Sequence, residues 1–198
     1  MKKILGSIAA VLLLQSFAFS QDEDLIQGPT LGVHFFFNDF KSAEALRKNS
    51  LGIVLKNHEF GIVKEMAPGL SISYTQGFSK YFDINARLSG CFVDYPMPNH
   101  SAFGTESLLV EADASIRGKM FPNNYAVQPY MQAGIGLSKY QGYYGAIIPV
   151  GVGMQVNIFN EAFIMIDAQY RIPVTETTNY HFYFGIGLAG NIGKRKAE

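Results

Sequence analysis

Seven charged side chains recur at even spacing inside otherwise apolar or small-residue segments: Asp83 and Arg87, then Glu111, Asp113 and Arg117, then Asp167 and Arg171. Two kinds of chemistry suit such a set. Glu111 and Asp113, two residues apart, have nearly the separation that the acid and base of a glycoside-cleaving site would use. Arginine's planar fork, on the other hand, pairs with carboxylates and tolerates enclosure better than lysine does. Three arginines against four carboxylates, interleaved with Gly, Ser, Asn and Gln, favour an internally neutralised ion-pair network, with Arg87 and Arg117 as the expected partners of Glu111 and Asp113.

The other candidates carry less. His34 and His181 could share a metal if the first and last segments adjoin, but bonding to neighbouring polar groups is the simpler expectation. Cys91 is the sole cysteine; it forbids an intrachain disulfide and lacks an adjacent cation to activate its thiol. The Gly-x-Gly triplets at Gly134, Gly151 and Gly185 open no helix that could hold a phosphate. His100 and Ser101 have no partner at a defined spacing from which a lipid-hydrolysing site could be built. No enzymatic activity, cofactor or metal is expected.

The elements that position these residues follow from composition and periodicity. Only 16% of the 198 residues are charged, against roughly 25% in soluble domains. The 16 basic and 16 acidic side chains balance, so no basic stripe exists to displace counterions from nucleic acid. Met1, Lys2 and Lys3, the apolar run from Ile4 to Leu14, and Ala18-Phe19-Ser20 read as a secretory signal peptide over 1–20, cleaved after Ser20. A mature N-terminal segment, 21–29, follows. No later stretch is apolar for the 18 residues that a membrane-spanning helix needs.

The period is instead two. Leu31, Val33, Phe35 and Phe37 oppose Gly32, His34, Phe36 and Asn38; Ile148, Val150, Val152 and Met154 oppose Gly151, Gly153 and Gln155; Phe182, Phe184, Ile186 and Leu188 oppose His181, Tyr183, Gly185 and Gly187. Similar alternations centre on residues 72, 85, 112, 134 and 168, which predicts eight strands, each long enough to cross a hydrocarbon layer when tilted. The seven charged residues all fall on the polar faces. Short turns are expected around Lys80, Asn123 and Glu161, and longer connections over 39–68, 93–106, near Tyr143 and near Thr177. Within the first long connection, residues 42–48 predict a short helix, and the apolar Leu51–Leu55 that follows suits either folding over the barrel mouth or meeting a partner.

Alternation alone does not say which face is outside. A soluble barrel would cover its exterior with Lys and Glu, yet the lysines, Lys119 among them, fall in loops, near strand ends or in the tail. The apolar faces are therefore expected outward, with Gly at alternate inner positions relieving crowding. Tyr and Phe near strand ends, including Tyr81, Phe82, Phe121, Tyr125, Tyr140 and Phe163, are expected to form aromatic girdles.

With its signal peptide, eight alternations and unequal loops, the chain resembles the small eight-stranded outer-membrane β-barrels of the OmpA and OmpX type over residues 30–192. The resemblance implies an all-β, antiparallel, up-and-down transmembrane barrel in the cell outer membrane, in contact with its lipids and with the barrel assembly machinery. The 193–198 tail is basic and not aromatic at its end, so the assembly signal is expected within strand eight. No peptidoglycan-binding domain follows, and cell-wall tethering is not implied. The expected role is structural, or surface interaction with an external ligand or protein through the 39–68 and 93–106 loops, with the lumen plugged. A narrow pore for water or small ions is the first alternative; a secreted soluble barrel with an apolar ligand inside is the second.

Overall fold

The computed structural model describes residues 25–96, 104–158 and 162–192. The expected signal peptide and its cleavage point, residues 21–24, His100, Ser101 and the 193–198 tail lie outside the described residues. Eight strands form a closed, wholly antiparallel barrel in sequence order: β1 (Thr30–Asp39), β2 (Ala67–Gly77), β3 (Phe82–Val93), β4 (Ser107–Lys119), β5 (Val127–Tyr140), β6 (Tyr143–Ile158), β7 (Ala162–Pro173) and β8 (His181–Asn191). The ring closes where β1 pairs with β8, from Thr30 opposite Asn191 to Asp39 opposite Phe182. Closure leaves no sheet edge unpaired.

The two faces sort as the alternation predicts. Leu31, Val33, Ile72, Ile135 and Leu188 point outward, Ile135 being 72% exposed, whereas Arg171, His34 and His181 are 0% exposed inside. This arrangement is the reverse of a soluble barrel with an apolar ligand, because the interior carries the charge. On the outer wall, Phe78 lies against Phe82 and Phe121 against Tyr125 near the short-turn rim. Tyr170, Phe182 and Phe184 cluster toward the other rim. Two of the expected girdle residues face inward instead: Tyr140 is 1% exposed and Phe163 4%. Each shares the parity of its strand's inner positions, Ser138 and Asp167, and parity overrides position along the strand.

Residues 78–81 and 120–126 connect strands at one rim, opposite the long 40–66 connection at the other. The connection near Tyr143 departs from expectation. Tyr140 pairs directly with Tyr143, leaving a two-residue hairpin of Gln141 and Gly142. Gln141 takes φ 51°, and its side chain donates to Ser107 Oγ at 3.0 Å, so the strand alternation runs on into the turn. In the first long loop, α1 (Phe40–Lys48) starts where the Asp39 carboxylate accepts from the Ser42 amide at 2.8 Å. It ends on Arg47 and Lys48, which complement the negative end of the helix dipole. The short α2 (Leu51–Lys56) and a single 3-10 turn, Val63–Glu65, complete the loop.

Some inner glycines are set against rings, Gly153 and Gly187 among them. Gly153 lies opposite Tyr130 in the ladder, and a Cβ there would come within 2.4 Å of the Tyr130 ring. Gly153→Val should therefore lower the unfolding free energy by about 1–3 kcal/mol through overpacking, read from urea titrations of the detergent-folded barrel. The loss should shrink in a Tyr130→Ala background; an equal loss in both would place the cost elsewhere.

Candidate functional site

Buried charged side chains converge on the inner face. From β7, Asp167 gathers the central groups: Arg87 of β3 donates to its Oδ2 at 2.8 Å, Tyr130 of β5 donates its hydroxyl to Oδ1 at 2.6 Å, and Gln132 donates to Oδ1 at 3.1 Å. Arg117 Nη2 and His34 Nδ1 each stand 3.9 Å from the same carboxylate. One turn of strand toward the long-loop rim, Arg171 reaches from β7 to β4, bonding Glu111 through Nη1 and Asp113 through Nη2, the latter at 3.3 Å. His181 Nε2 lies 3.3 Å from Glu111 Oε2. The guanidinium groups of Arg87 and Arg171 sit over the Tyr183 ring at 4.8 and 4.5 Å, and that of Arg117 over Tyr130 at 4.8 Å.

All seven sequence-selected residues thus face the lumen and are buried, but their pairing differs from expectation. Arg87 lies directly opposite Asp113 in the ladder and Arg117 opposite Asp83, yet Glu111 and Asp113 bond to Arg171, and Arg87 bonds to Asp167. Side chains from neighbouring strands project side by side, whereas a long guanidinium pointing inward meets the facing wall; β3 and β7 face each other across an eight-stranded ring. Asp83 finds a partner that the sequence reading had left at the strand end: Lys119, 6% exposed, turns inward and places Nζ 2.9 Å from Asp83 Oδ1. With this fourth cation, four cations balance four carboxylates. His34 and His181 stand by different carboxylates, and His34 also contacts Ser73 Oγ at 2.7 Å, so they form no joint metal site. Among the described residues, no group of three metal-ligating side chains occurs.

Both ends of the network are covered. At the long-loop mouth, Phe40 of α1 packs on Tyr95 and His181, Tyr95 on Tyr140, and Phe36 on Tyr183. The Asn179 amide donates to the Tyr95 hydroxyl at 2.8 Å; burial, and the negative charge of Glu111, keep that phenol above its usual range and so protonated. Cys91 is packed in this cluster. At the short-turn end, Gln155 donates to Gln27 at 3.2 Å and to Gln128 at 3.5 Å, and the Gln27 carbonyl accepts from Gly77 N.

No protein-family model matches the chain, and no curated protein matches it. Solved structures do. Neisserial surface protein A superposes with a TM-score of 0.57 at 14% identity, covering 84% of this chain and 99% of its own. The outer membrane protein OprG of Pseudomonas aeruginosa gives 0.55 at 10% identity over 83% and 96%. Ail, the attachment invasion locus protein of Yersinia pestis, gives 0.51 at 11% identity over 83% and 97%. The fold is that of the small outer-membrane barrels. At such identities the likeness is one of architecture, and the lumen residues have to be understood from this chain alone.

Four of them escaped the sequence reading as network members. Tyr130 and Lys119 lie on the same parity as Gln132 and Arg117, so extending each alternation by one step would have found them. Tyr183 and Gln27 offer no such signal of role: a tyrosine on an inner face looks the same whether or not two guanidiniums rest on it. Asp167 is the most shared member of the network, and Asp167→Ala leaves Arg87 and Arg117 buried without their carboxylate. That change should cost about 3–5 kcal/mol, measured as the urea midpoint in lipid vesicles, with Asp167→Asn, which keeps an acceptor for Tyr130, falling between. A loss within about 1 kcal/mol would put the pairs in the range of solvent-exposed ones.

Proposed function

We propose that the protein is an integral outer-membrane barrel with a closed lumen and no catalytic role, acting through its long-loop rim as a structural or surface-interaction component. The observation that supports this reading most is the sorting of the two faces: an apolar wall outside, fit for a hydrocarbon layer, around an interior whose charges neutralise one another. Such an interior offers no substrate room, so contact with an external ligand or protein falls to the 39–68 and 93–106 loops. The names of two fold relatives, a surface protein and an attachment invasion locus protein, are consistent with a role at the cell surface. Residues 1–20, by their composition, supply the export signal.

The second reading, a narrow path for water or small ions, draws on a specific feature. Several inward atoms, including Arg87 Nε, Glu111 Oε1 and Arg171 Nε, have no protein hydrogen-bond partner among the described residues, and water could serve them. The plugged reading is favoured because the arginines cross the lumen rather than line it.

Cell fractionation and gel mobility test the location. The protein should appear in the outer-membrane fraction and migrate differently before and after boiling, since a closed barrel resists detergent until heated. Trypsin added to intact cells should cut at Lys48 in the first long loop, an exposed side chain at the end of α1, and spare Lys80 in the short turn. A soluble protein with no mobility shift would overturn the reading; cutting at Lys80 alone would invert the orientation.

A further inference from the structure

We propose that the Leu51–Val63 part of the first long loop is an interfacial anchor, seated in a phosphate-bearing lipid surface beside β8; the inference rests on the outer-membrane reading. α2 exposes Leu51, Ile53 and Leu55, each about half open to solvent, and buries only Val54. Phe60, Ile62 and Val63 extend the exposed apolar stretch. A helix of this length is marginal on its own in water, and one with large aliphatic side chains open on more than one side has little intramolecular burial to hold it. An apolar surround on that side supplies the missing burial.

The contacts of the loop say where it sits. Phe60 meets Phe182 and Phe184 edge to face, with ring centroids at 5.6 and 6.5 Å, and both partners point outward from β8, away from the lumen. Arg47 at the end of α1 rests over the Tyr180 ring at 3.9 Å. Tyr180 stacks on Tyr170, which touches Phe182. The loop therefore starts inside the mouth at Phe40, crosses the rim, and continues the apolar outer wall with its own side chains. A surface continuous with the lipid-facing wall is met by lipid before anything else.

The charges beside the stretch are mixed. Lys56 ends α2 and Lys64 lies in the 3-10 turn, both exposed; of the two acids nearby, Glu65 is held by Lys41 at 2.9 Å and Glu59 is exposed. Lysines beside an inserted apolar segment lie where lipid phosphates are, and each adds attraction to an anionic surface. A second copy of the chain, or a protein partner, would use the same aliphatic residues without lipid.

The test uses the full chain, in a Cys91→Ala background, reconstituted into phosphatidylcholine–phosphatidylglycerol vesicles. One cysteine replaces Ile53 (I53C) in one sample and Ile72 (I72C), on the outer wall of β2, in another; each carries an environment-sensitive fluorophore. Lipids brominated near the headgroup end of their chains should quench the label at position 53 at least twofold, and aqueous iodide should quench it weakly. Quenching of the position 53 label by iodide and not by lipid, while the position 72 label is lipid-quenched, would overturn the anchor and leave the barrel reading standing. A position 53 label shielded from both quenchers and cross-linkable to a second copy would also overturn it, in favour of a dimer contact. Loss of lipid quenching at position 72 would instead defeat the outer-membrane reading itself.

Discussion

A ring of eight strands leaves an interior only wide enough for its own side chains, so its inward charges have to find one another. The rest of the structure follows from that constraint. Arg87 and Arg171 reach carboxylates on other strands, and two of the inward rings have glycine as a ladder partner: Tyr130 opposite Gly153, His34 opposite Gly187. Asp167 accepts hydrogen bonds from β3 and β5, with Arg117 of β4 and His34 of β1 at 3.9 Å, because a carboxylate inside a narrow cylinder lies within reach of several strands. Removing one member of a buried, hydrogen-bonded charge set costs far more than the set contributes over an apolar filling.

The same constraint explains the outer wall. With the charged groups enclosed and the strands closed into a ring, the exterior is free to be apolar, which is the condition for crossing hydrocarbon with strands. The two rims differ. The short-turn rim has little chain, while the other carries a loop that reaches both ways: Phe40 packs on His181 at the mouth, and Phe60, later in the same loop, packs on the outside of β8.

Strand number and facing were legible because they depend on parity, a property that each residue carries in its sequence position. Pairing was not legible. Ladder neighbours such as Arg87 and Asp113 are adjacent in a flat sheet, and only the closed cylinder brings Arg87 to Asp167 and Arg171 to Glu111. The hairpin at Gln141 and Gly142 was missed for a related reason: tyrosines on both sides of a turn resemble loop content, and a glutamine at positive φ gives no compositional cue. Lys119 was placed at a strand end, correctly, but its inward turn toward Asp83 depends on where β3 begins.

If cross-lumen ion pairs close the barrel, no ion should pass. Recording from planar bilayers containing the purified full chain tests this most directly. A closed lumen predicts a quiet membrane, with no discrete current steps at neutral pH in molar salt. Reproducible, ohmic steps from the unmodified protein, altered in size by Arg117→Ala, would show that the charged groups line an open path, and would contradict it.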